Sequence, residues 1–125
     1  LVIPGFIQRK DHIMKIAVPT AGGKLCAHFG HCEKFVIVTV DDKTKTITAK
    51  EDVVPPPHEP GLLPRWLHEK GVTVIIAGGM GARAQELLKQ FGIQVIVGAP
   101  CEHPQTVILD WLKGALVKGN NVCDH

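Results

Sequence analysis

Apolar runs without alternation are separated by amphipathic stretches along most of this 125-residue chain. Lys15 to Pro19 predicts a first, buried strand. Thr20 to Lys24, with Gly22 and Gly23, reads as a loop. Phe35 to Val40 is β-branched and apolar and predicts a second strand, ending at the turn signal Asp41-Asp42-Lys43. Lys45 to Val53 alternates Thr, Ile, Thr, Ala, the pattern of a solvent-facing edge strand, so these two strands form a hairpin.

The Pro55-Pro56-Pro57-His58-Glu59-Pro60-Gly61 stretch is a stiff connector, because consecutive prolines fix φ and remove donors. Leu62, Leu63, Trp66 and Leu67 then share one helical face, and Gly71 stops that helix. The sequence now nearly repeats itself. Gly71-Val-Thr-Val-Ile-Ile-Ala-Gly and Gly92-Ile-Gln-Val-Ile-Val-Gly-Ala each put a helix-ending glycine before a continuous apolar run. The helix between, from about Ala82 to Phe91, aligns Ala84, Leu87, Leu88 and Phe91. A last helix begins at Pro104 and turns Val107, Ile108, Trp111 and Leu112 inward, with Gly114 at or near its end.

The order β-β-β-α-β-α-β-α predicts an α/β fold: a mixed sheet whose first, fourth and fifth strands are parallel and covered on both faces, with an antiparallel hairpin added. Ligands of open α/β sheets sit outside the carboxyl ends of the parallel strands. The segments leaving those ends are Thr20 to Lys34, Gly78 to Arg83 and Gly98 to His103, which should converge on one edge. Met14 begins a regular strand, so residues 1–13 are expected to be an upstream extension and residues 14–125 a single domain.

Composition narrows the function classes. A formal net charge of +2, no run of five like charges and few aromatic residues leave a nucleic-acid surface without support. No apolar run is long enough to span a bilayer, and the expected compartment is the cytoplasm. Four cysteines in such a compartment read as free thiols or ligands rather than disulfides. Their spacing is not that of a zinc ribbon.

The chemistry concentrates in Leu25 to Phe35, where Cys26, His28, His31 and Cys32 fall within seven positions. Thiolate suits zinc, copper(I) or iron-sulfur clusters, and imidazole is a frequent partner. Cys32, with His31 beside it, is the first candidate ligand, and Cys26 lies near the mouth of the same loop. His28 precedes Phe29-Gly30, a tight turn, and reads either as a ligand or as a loop anchor. Gly78-Gly79-Met80-Gly81-Ala82-Arg83 follows a strand and opens a helix, where backbone N–H groups attract anions. Its Gly79-x-Gly81-x-x-Ala84 spacing imitates a dinucleotide fingerprint, in a chain too short for a two-halved nucleotide fold. Arg83 in the first helical turn opposes the helix dipole, a cost that a bound anion would offset. Cys101 and His103 offer further donors, although His103 equally suits a helix cap, and Cys123 and His125 close the chain. Neither a nucleophile elbow nor a paired-carboxylate arrangement is present, which argues against an enzyme.

His28-Phe-Gly-His-Cys-Glu, the Gly78-Gly-Met-Gly-Ala-Arg-Ala loop, the Pro-Pro-His-Glu-Pro-Gly-Leu-Leu-Pro connector and the terminal Cys123-Asp-His together resemble the dinitrogenase iron-molybdenum cofactor biosynthesis family. That family includes the carriers NifX and NafY and the C-terminal domain of NifB. The resemblance spans Met14 to His125 and implies a ribonuclease H-like fold that binds iron-sulfur or molybdenum-containing clusters without catalysis. It carries over to His28, Cys32, the loop from Gly78 to Arg83, and Cys123. Cys26 and Cys101 are additions to the pattern.

The expected function is therefore carriage or storage of a metal-sulfur cluster received from a donor protein and passed to a recipient. A cluster bridged by Cys32 of two subunits would make the protein a homodimer. The alternatives are a nucleotide- or anion-binding regulatory module built on the Gly79 loop, and a thiol redox sensor pairing Cys32 with Cys26 or Cys123.

Overall fold

The computed structural model describes residues 13–25, 33–56, 62–100 and 102–116. Among them six strands, β1 (Ile13–Ala21), β2 (Lys24–Leu25), β3 (Lys34–Asp41), β4 (Thr46–Val53), β5 (Val74–Ile76) and β6 (Gln94–Ile96), form one mixed sheet. Among the described residues three helices, α1 (Leu62–Glu69), α2 (Ala82–Gln90) and α3 (Pro104–Leu112), alternate with the later strands. The sheet order is β4-β3-β1-β5-β6, with β2 paired to β1. β1, β5 and β6 are parallel, whereas β3 runs antiparallel to both β1 and β4. The mixed α/β architecture is thus the expected one, with one addition.

That addition is β2. Gly22 and Gly23 both have positive φ and close a tight turn that brings Lys24 and Leu25 back against Ala21 and Thr20. The expected loop is therefore strand on both sides of a two-glycine turn. β1 is also longer than its apolar run at both ends, pairing Ile13 with Asp41 and Thr20 with Lys34. Thr20 belongs to the sheet despite its hydroxyl because that group is buried and satisfied, donating to the Lys34 carbonyl at 3.1 Å.

The sheet separates two cores. On one face Ala17, Phe35, Ile37 and Ile75 pack against Leu63 and Leu67 of α1 and Leu88 of α2. On the other, Ile16, Val18, Val38 and Ile76 pack against Val107 and Ile108 of α3, with Trp111 and Leu112 partly buried against them. The hairpin strand β4 is the outer edge and is exposed over most of its length, as its alternation implies. Gly71 ends α1 with φ +84, a conformation that side chains with a Cβ rarely adopt. Its N–H bonds the His68 carbonyl at 3.0 Å, and Val72 then bonds Leu67 at 3.1 Å, so the chain drops directly from helix into β5.

Candidate functional site

The segments leaving the carboxyl ends of β1, β5 and β6 are tied together by backbone hydrogen bonds. Leu25 and Glu33 are the described residues that flank residues 26–32. Both posts are fixed: the Leu25 N–H bonds the Glu102 carbonyl at 2.9 Å, and the Glu33 N–H bonds the Thr20 carbonyl at 2.8 Å. The stem of the Cys/His segment is therefore joined directly to the segment that connects β6 to α3. The glycine turn after β5 joins that same connection at its start, through Gly98 N–H to the Gly78 carbonyl at 3.0 Å. All three segments share one edge, with the connection after β6 linked to both others.

The glycine turn is anchored more firmly than its composition suggests. Gly78 and Gly79 are buried, and Met80 is 1% exposed within the core shared with α1 and α2. Gln85 Nε2 donates to the Met80 carbonyl at 3.0 Å. Gly81 is the N-cap of α2 and, lacking a side chain, makes no side-chain cap. The strand-turn-helix context expected of an anion-binding turn is present. Arg83 lies exposed in the first turn of α2, on the helix that covers the face opposite α3.

On the α3 side of the edge lies an open cleft of about 610 Å³. Small-molecule sites span roughly 300–1,000 Å³, so the volume suits a small ligand. Thr20 and Val36 belong to the sheet beneath it, Lys34, Lys50 and Asp52 come from the β3–β4 hairpin, and His103, Gln105 and Thr106 come from the start of α3. Gly23 of the β1–β2 turn and Glu33, which follows the 26–32 segment, also line it. The Glu33 carboxylate accepts the Gly22 N–H at 2.9 Å and so braces the β1–β2 turn. His103 is the N-cap residue of α3 by position but makes no side-chain cap, so the capping role considered for it is not realised.

His28, Gly30, His31, Cys26, Cys32, Cys101, Cys123 and His125 lie outside the described residues. Gly78, Gly79 and Gly81 are found at the shared edge, and Arg83 beside it. Among the described residues no group of three His, Cys, Asp or Glu side chains is placed to hold a metal ion. That Lys34, Lys50 and Asp52 line this cleft was not legible in the sequence. Alternation assigns residues of one strand to a common face, but the pairing of Val36 with Asp52 and Val38 with Lys50 depends on a register that no single strand discloses.

Residues 12–114 match the family described as dinitrogenase iron-molybdenum cofactor. The chain belongs to this family. It is 38% identical over 116 residues to MJ0580 of Methanocaldococcus jannaschii, a protein named only as uncharacterised, covering 87% of this chain and 94% of that one. Its fold is similar to the crystal structure of PH0822, with a TM-score of 0.77 and 28% identity over 84% of this chain and 94% of that chain. It is also similar to the apo form of the orange protein from Desulfovibrio gigas, with a TM-score of 0.68 and 25% identity, covering 88% and 96%. Membership of the dinitrogenase iron-molybdenum cofactor family confirms the resemblance carried by the motifs. Among the described residues no helix is long and apolar enough to cross a membrane.

Proposed function

We propose that this protein binds a metal-sulfur cluster, of the iron-sulfur or molybdenum-iron-sulfur kind, and carries or stores it between a donor and a recipient protein in the cytoplasm without catalysing a reaction. The observation that carries this reading is the Leu25–Glu102 hydrogen bond. It fastens the foot of the segment bearing Cys26, His28, His31 and Cys32 to the connection bearing Cys101 and His103. Family membership and the likeness to a protein described in an apo form support the same reading.

The donor set fits the cargo. Sulfide-bridged iron and molybdenum are soft and are held by thiolate, with imidazole as a partner. In this reading Cys32 is the principal ligand. His31 and His28 assist it, Cys26 and Cys101 stand at the margins, and Cys123 reaches the site from the end of the chain. Glycine N–H groups at the start of α2, on the same edge, are the alternative place for the cargo's negative charge. A carrier must also release its cargo, and a few ligands on connecting segments suit release better than a closed cage of four thiolates. A cluster bridged by Cys32 of two copies is the dimeric form of this reading.

The test is transfer. Protein loaded with iron and sulfide under anaerobic conditions is mixed with a metal-free ferredoxin, and the visible spectrum of the acceptor is followed after separation. Acquisition of the cluster by the ferredoxin, faster than from iron and sulfide in solution, is expected. Metal-free protein that is stabilised by nucleotide, and takes up no cluster, would support the regulatory alternative instead. A change of stability on oxidation alone would support the redox sensor.

A further inference from the structure

The cargo of the proposed carrier has two sides of the sheet edge open to it, and the structure distinguishes them. Among the described residues, the α2 side shows a shallow depression along the helix, lined by Ala82, Gln85, Glu86, Lys89 and Gln90, and Arg83 is not part of it. The α3 side offers the cleft, whose lining includes Glu33, the first described residue after the Cys/His segment, and Gly23 of the β1–β2 turn that precedes the segment's other foot at Leu25.

The lining of that cleft has a definite chemistry. Lys50 stands opposite Val38, Asp52 opposite Val36, and Lys34 opposite Thr20, so these side chains share the sheet face that α3 covers. Val36 lies between the two lysines. A smaller void of about 160 Å³, lined by Val36, Val38 and Ile47 together with Lys50 and Gln105, continues the apolar floor. Among the described residues the ion pair within 4.0 Å is Lys45 with Asp42, and neither cleft lysine is paired. One carboxylate in the cleft, that of Glu33, is engaged by the Gly22 turn, which leaves Asp52 as the opposing charge. Metal-bound sulfide is soft and weakly hydrated, and a metal-sulfur cluster is typically anionic. An apolar floor rimmed by flexible ammonium groups matches both properties.

Resting on the carrier reading, we propose that the cleft between the first turn of α3 and the β3–β4 hairpin is the seat of the cargo, with Lys34 and Lys50 receiving its negative charge. Lys34 and Lys50 are then affinity-determining residues that nothing in the Cys/His motif specifies.

Tetrathiomolybdate, a soluble anion of molybdenum and sulfide, is the probe. Titrated into isotope-labelled protein, it should shift the amide resonances of Val36, Lys50, Gln105 and Thr106. The Lys34→Gln/Lys50→Gln double variant should weaken binding about tenfold, Asp52→Asn should tighten it roughly two- to fivefold, and Arg83→Gln should change it by less than about twofold. Shifts confined to Gly79 through Glu86, unchanged binding by the lysine variant, or no binding at all would overturn the placement. The shift map of the unmodified protein stands even where a variant fails to fold. Anaerobic iron and sulfide retention separates the two readings. Unmodified protein that retains cluster while the probe maps to α2 refutes the cleft alone, whereas protein that retains none refutes carriage itself.

Discussion

Leu25 and Glu102 are joined by a backbone hydrogen bond of 2.9 Å between residues 77 positions apart in the chain. Leu25 is also 2% exposed and packs in the core under α3, so one residue is both the foot of the Cys/His segment and part of the hydrophobic interior. Stability of the core and position of the site are thereby coupled.

Leu25→Ala tests that coupling. Truncating a buried leucine costs about 2–5 kcal/mol through lost burial and the cavity left behind. Urea unfolding should report a loss in that range. Hydrogen exchange at the Leu25 amide should quicken by more than at Ile75, which is fully buried in the core on the opposite face. Equal quickening at both amides would mean that the foot has no separate mobility.

Met80→Ala addresses the glycine turn. Met80 is buried among residues of the α1–α2 face, so its removal should cost about 2–5 kcal/mol in denaturant unfolding. The same change should broaden the amide resonances of Gly79 and Gly81, because the side chain between them is what holds the turn down. A loss below about 1 kcal/mol, without broadening, would show that neighbouring hydrogen bonds suffice.

Gly71→Ala probes the junction between α1 and β5. At φ +84 a Cβ is strained, and it would lie 3.6 Å from the Lys15 side chain, an ordinary contact. The penalty is therefore conformational and should be about 1–2 kcal/mol, visible as a lower Tm. Gly71→Asn, which tolerates this region better, should recover part of the loss.

Sequence disclosed some of these features and withheld others for physical reasons. Parallel strands buried on both faces appear as unbroken apolar runs, so β5, β6 and their covering helices were legible, as was the exposed edge strand β4. Strand β2 was hidden because two residues have no period, and because Gly22-Gly23 marks a turn without specifying a strand on its far side. Met80 looked like a loop residue between glycines until the fold placed it in the core. The Cys/His motif pointed to the carboxyl edge through strand order alone. The cleft beside it depends on the β3–β4 register and on the start of α3, both long-range relationships. Lys34, Lys50 and Asp52 resemble ordinary solvated charges until those elements come together.

Whether the Cys/His segment at this edge binds a metal-sulfur cluster is decided by iron and acid-labile sulfide per chain after anaerobic reconstitution and desalting, measured for the unmodified protein and for Cys32→Ser. Both elements should be retained by the unmodified protein, with visible absorption, while Cys32→Ser loses most of them and Arg83→Ala loses less. Unmodified protein that emerges without iron and sulfide, or a Cys32→Ser variant that retains as much as its parent, would contradict cluster binding at this segment.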